Sequence, residues 1–86
     1  MAKYTYGERV VKKLRKVLCY DQRISQLIAG NPHISLDENF DLASVRWDYY
    51  GLVVIATAEC VTLHERGGST TTIMYYQGFD ALLSMR

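Results

Sequence analysis

A run of thirteen residues, LVVIATAECVTLH at positions 52–64, limits the folds open to this chain more than any other stretch. Val, Ile and Thr lose little in an extended backbone, and Gly51 on one side with Gly67 and Gly68 on the other mark turns. The run is therefore predicted as the central strand of an antiparallel meander, with residues 43–50 and 70–77 as its neighbours. An α+β fold follows: a long N-terminal amphipathic helix packed on a three-stranded antiparallel meander, then a short C-terminal helix. At 86 residues the chain makes one domain over residues 1–86, and so small a domain buries only about 60 to 65% of its unfolded surface. A partner or a second copy would add stability.

The helix has a readable start. Thr5-Tyr6-Gly7-Glu8 fits a capping box, in which the Thr5 hydroxyl accepts from the amide three residues on and Glu8 reaches back. Val10, Leu14, Val17, Ile24 and Ile28 share one arc of a helical wheel, and Arg9, Lys12, Lys13, Lys16 and Arg23 share another. Residues 6–29 form either one helix or two joined near Tyr20 and Asp21, where Asp21 suits a second cap. Gly30 suits the position after a helix end, and Asn31-Pro32 prevents continuation. Residues 33–39 read as a connector, and residues 81–86 as a closing helix too short to stand without packing.

Two turns set the expected registers. Tyr49-Tyr50-Gly51 fits a three-residue loop with Gly in the left-handed position, which sets Trp47 opposite Val53 and Val45 opposite Ile55. Gly67-Gly68 fits a two-residue loop that pairs Leu63 with Thr72, Val61 with Met74 and Cys60 with Tyr75. Both sheet faces then come out apolar, although one helix layer covers only one of them. The face with Ala56, Ala58 and Cys60 has small side chains and is assigned to the helix. The other face, Val45, Trp47, Val53, Ile55 and Met74, with Glu59 and Tyr76 as a polar spot, is the expected partner-binding surface. Its occupant would be a different protein or a second copy stacked face to face, giving a homodimer.

Charge supplies the alternative. Net charge is only +1, yet residues 1–23 hold seven bases against two acids and the remainder three against seven. The stripe Arg9, Lys12, Lys13, Lys16 and Arg23 could follow a nucleic-acid backbone or an acidic partner, and five phosphate contacts would give a log–log salt slope of about −4 to −5. Against this, a near-neutral chain lacks the excess of positive charge that dedicated nucleic-acid binders carry.

Catalytic chemistry finds little support. Cys60 and His64 lie four apart on an expected strand, about 13 Å from each other and beyond hydrogen-bond reach. Cys19, His33, Cys60 and His64 have ligand types that suit zinc but no zinc-finger spacing. Gly67-Gly68-Ser69 beside Arg66 lacks the following helix that a phosphate loop needs. Neither a catalytic residue nor a cofactor or metal is expected. Two cysteines without a C-x-x-C pattern fit reduced thiols. With no apolar leader and no stretch fit to span a bilayer, the expectation is a cytoplasmic protein with no membrane contact.

The expected function is thus a small non-enzymatic protein-interaction module. Its size, Tyr-rich sheet and lack of catalytic motifs are similar in general style to accessory and inhibitor proteins of phages and other mobile elements, with no motif behind the likeness.

Overall fold

The computed structural model describes residues 5–86. Two helices, α1 (Tyr6–Val17) and α2 (Gln22–Leu27), precede five strands, β1 (His33–Leu36), β2 (Leu42–Tyr49), β3 (Leu52–Thr57), β4 (Cys60–His64) and β5 (Thr70–Tyr75). A short helix, α3 (Phe79–Ser84), follows. The strands form one antiparallel sheet in the order β1-β2-β3-β4-β5. This corrects the expected three-stranded meander under a long N-terminal helix: the sheet has five strands, and the helical segment is divided near Tyr20 and Asp21, the alternative left open for it.

The helical segment breaks where its own side chains cap it. The Thr5 hydroxyl accepts from the Glu8 amide at 3.1 Å and starts α1. After Leu18 the chain turns, and Asp21 accepts from the amides of Arg23 and Ile24 at 2.9 and 3.2 Å to start α2. A carboxylate that satisfies two free amides favours a new helix start over continuation. The two helices are also tied side by side. Arg15 of α1 donates from Nε to the Ile28 carbonyl at 2.9 Å and from Nη2 to the Gly30 carbonyl at 2.8 Å. Those carbonyls lie past the end of α2, where no intrahelical donor remains. Gly30 therefore contributes its carbonyl; its φ is not positive, contrary to the helix-end role expected of it.

The expected continuous strand over residues 52–64 is two strands. Ala58 and Glu59 reverse the chain, so that Ala56 pairs with Val61 and Val54 with Leu63. Neither residue is a usual turn former, and the reversal is held from elsewhere. The Tyr76 hydroxyl donates toward the carbonyls of Thr57 and Cys60 at 2.6 and 3.3 Å, and the Glu59 amide donates to Thr57 Oγ1 at 3.3 Å. The fifth strand is β1, which the sequence presents as a connector because four residues are too few to show alternation. It pairs with β2 as His33 to Arg46, Ile34 to Val45 and Ser35 to Ser44.

The β2–β3 register differs from expectation by one residue. The loop holds two residues, Tyr50 at φ 47° and Gly51 at φ 87°, so Trp47 faces Val54 and Val45 faces Ala56. Both central residues of this tight loop need positive φ, which penalises Tyr50. Arg66 helps hold it by donating to the Tyr50 carbonyl. Because side chains alternate, a slip of one residue moves each to the opposite face. The β4–β5 loop holds three residues, 66–68, instead of the expected two, since the Glu65 amide bonds the Ser69 carbonyl; Leu63 therefore faces Thr71 rather than Thr72, and a bulge at Ile73 restores Cys60 opposite Tyr75 and Val61 opposite Met74.

All three helices cover one face of the sheet. Val10, Leu14, Leu18, Ile24 and Ile28 pack over Val45, Trp47, Val54, Ala56, Val61 and Leu63, with Phe79 and Leu82 of α3 closing the core. The Trp47 indole N–H donates to the Gly30 carbonyl at 2.9 Å. Arg15 and Trp47 thus meet on one oxygen and join α1, the α2–β1 link and β2.

Candidate functional site

A concavity lies where three distant pieces of chain meet: the start of α1, the β1–β2 hairpin and the start of α3. This open cleft of about 730 Å³ is lined by Thr5, Tyr6, Gly7, Ile34, Leu36, Phe40, Asp41, Leu42, Phe79 and Asp80. Gly7 allows the close approach of α1 to β1, since a Cβ there would stand 3.2 Å from Ile34 Cγ2. Tyr6 ties the two helix starts together. Its hydroxyl donates to Asp80 Oδ1 at 2.6 Å, and its ring meets the Phe79 ring edge-on with centroids 6.4 Å apart. Burial, then the bond to Asp80 and the charge of Asp80, push the Tyr6 hydroxyl pKa up to about 12, against the opposing pull of Arg9.

One wall is a turn closed by its own hydrogen bonds. Asp37 Oδ1 accepts from the amides of Asn39 and Asp41 at 2.8 and 3.0 Å, the Asp37 amide donates to the Asp41 carbonyl, and the Phe40 amide donates to the Asp37 carbonyl. Four hydrogen bonds centred on one aspartate hold Phe40 at φ 63°, with 83% of the residue exposed. A left-handed conformation costs a residue with a Cβ about 1 to 2 kcal/mol. An exposed ring recovers little of that by packing inside the monomer. Leu36 stands beside it, 54% exposed. Asp41 and Asp80 line the same cleft, and Asp37 and Glu38 lie on the same turn, so an apolar floor carries acidic groups at its margin.

The residues expected to form one partner-binding face are separated. Val45 and Trp47 are buried under the helices, and Met74 is half-buried on the same side, paired with Val61. Val53 and Ile55 lie on the opposite face, half-buried, paired with Asp48 and Arg46 in β2 and with His64 and Thr62 in β4. Glu59 is exposed at the β3–β4 turn, and Tyr76 is half-buried with its hydroxyl committed to that turn; burial raises its pKa above the ordinary 10.0. The open face accordingly sets the half-buried Val53 and Ile55 among polar and charged neighbours. His64 places one ring nitrogen 3.2 Å from the Thr62 hydroxyl and the other 3.2 Å from that of Thr70, and Arg46 pairs with Asp48 at 3.0 Å. It is not the uncovered apolar face that the slipped register implied.

The basic stripe is also partly engaged. Lys13 donates to the Met85 carbonyl and Arg23 pairs with Glu65 at 3.3 Å; Arg9, Lys12 and Lys16 lie at the surface. Among the described residues no three of His, Cys, Asp and Glu come together as a metal site would require, and no helix is long and apolar enough to cross a membrane. Sequence reasoning passed over Tyr6, Leu36, Phe40, Asp41 and Asp80. The available signal was Phe40 itself, an aromatic residue within an otherwise polar turn.

Comparison with protein families, with curated proteins and with solved structures gave no significant match.

Proposed function

We propose that this protein is a small non-enzymatic interaction module that works by occupying a partner's surface, with the cleft and Phe40 as its contact site. The observation that carries the reading is Phe40: a hydrogen-bonded turn keeps an aromatic ring in solvent, in a backbone conformation that disfavours it, next to an apolar cleft. Aromatic anchors of this kind contribute heavily to protein interfaces when a partner pocket desolvates them. The acidic margin selects the occupant. A partner segment that places an apolar side chain in the cleft and Lys or Arg toward Asp41 and Asp80 complements both features. Protein binding is favoured over nucleic-acid binding because the stripe is drawn into the fold, with Lys13 donating to the Met85 carbonyl and Arg23 paired with Glu65.

The test compares wild type with Phe40→Asn and Asp41→Lys, each first shown to be folded by circular dichroism. Proteins retained by immobilised wild type but by neither variant are made recombinantly and titrated by calorimetry. Amide shifts on binding are expected at Leu36, Phe40, Leu42 and Phe79, with at least tenfold weaker binding for each variant. Equal retention by all three proteins, or shifts confined to the opposite sheet face, would refute the assignment.

A further inference from the structure

The two edges of the sheet are finished differently. β1 has four residues, follows Pro32, and runs into Asp37 and Glu38. Short length, proline and charge are the usual means by which an edge strand is kept from pairing with another chain. β5 lacks the last two: residues 69–77, STTTIMYYQ, contain no charge and no proline. Its bulge, at Ile73, lies beyond the first three threonines.

The ladder shows which backbone groups are free. The Glu65 amide donates to the Ser69 carbonyl, so these two form a bonded pair. Antiparallel alternation makes Leu63 and Thr71 the next bonded pair and leaves His64–Thr70 and Thr62–Thr72 unbonded. The N–H and C=O groups of Thr70 and Thr72 therefore point away from β4. Residues 70–72 are all exposed.

We propose that this edge binds a second copy of the chain, antiparallel, across a two-fold axis at Thr71. Thr70 of each copy then exchanges both backbone hydrogen bonds with Thr72 of the other, and two five-stranded sheets become one. The occupant is a second copy because the stretch is complementary to itself. Its two outward residues sit symmetrically about Thr71, they bring threonine against threonine, and no like charges meet. The bulge at Ile73 ends the regular stretch and so fixes the register.

Sedimentation equilibrium of the whole chain, from micromolar to millimolar concentration, tests this with two double variants. Thr70→Lys with Thr72→Lys sets lysine against lysine in both pairs and should weaken the dimer about tenfold or more. Thr70→Glu with Thr72→Lys sets opposite charges in both pairs and should dimerise at least as tightly as wild type. Both substitutions are on exposed residues, and thermal unfolding checks that each variant is folded. In the wild-type dimer the Thr70 and Thr72 amides should exchange more slowly than in the monomer. A wild-type mass of one chain throughout, or the same response from both double variants, would overturn the proposal.

Discussion

Replacing Phe40 by Asn should make the protein more stable while weakening its binding to a partner. Asn tolerates the left-handed region because its short polar side chain can hydrogen-bond locally, so most of the roughly 1 to 2 kcal/mol that φ 63° costs Phe40 is relieved. What is lost is packing. With 83% of the residue exposed, about a sixth of a side chain of roughly 200 Å² is covered, and at about 25 cal/mol per Å² this is under about 1 kcal/mol. The balance is a gain of about 0.5 to 1 kcal/mol, or about 2 to 8 °C in Tm for a domain of this size. Phe40→Ala is the control: it loses the same packing but keeps a Cβ at positive φ, and should be neutral or slightly less stable than wild type. Scanning calorimetry at neutral pH separates the two. If the Asn variant melts at or below the Ala variant, the ring is held by contacts within the monomer and its exposure has no bearing on function.

Three further outcomes follow from features of the fold. Arg15→Ala and Trp47→Phe should each destabilise by about 1 to 3 kcal/mol in urea unfolding, and because both side chains donate to the Gly30 carbonyl the double variant should depart from additivity by at least about 0.5 kcal/mol; strict additivity would mean the shared acceptor does not couple them. Gly51→Ala should cost about 1 to 2 kcal/mol, since φ is 87° and the new Cβ would stand 2.6 Å from Arg66 Nε, whereas Gly30→Ala, with no atom within 4 Å and no positive φ, should be close to neutral. Ultraviolet titration of the phenols should show late ionisation of Tyr6 and Tyr76, each late component removed by Tyr6→Phe or Tyr76→Phe. Both folded pKa values lie above the unfolded value near 10, so their contribution to stability is complete below pH 10 and is lost as pH rises beyond it, for Tyr6 through about 12.

Local signals carried the parts of the fold that depend on neighbouring residues. The caps at Thr5 and Asp21 were legible, because each is a side chain and an amide two or three residues apart. The reversal at Gly67-Gly68 was legible, but its loop has three residues instead of two, and the far pairs, Val61 with Met74 and Cys60 with Tyr75, agree with expectation only because the bulge at Ile73 offsets the extra residue. Tyr50 misled, since an aromatic residue at positive φ argues against a two-residue loop, and that single position decided which side of the sheet Trp47 and Val53 would face. The Ala58-Glu59 turn was beyond local reading, because Tyr76 holds it. The cleft was hidden for a different cause. Its walls come from around residues 6, 40 and 80, and nothing in any one segment announces the other two.

The strictly sequential strand order bears on how the chain reaches its native state. Each strand pairs with the next along the chain, so every hairpin closes a short loop and the entropy lost at each closure is small. The junction of α1 with α3 closes a far longer loop, since Tyr6 meets Asp80 across more than seventy residues. Hairpins should therefore form early and cheaply, while the union of the two helix starts, which also completes the cleft, comes late. Rapid mixing experiments should find substitutions at Tyr6 or Asp80 altering the unfolding rate far more than the folding rate.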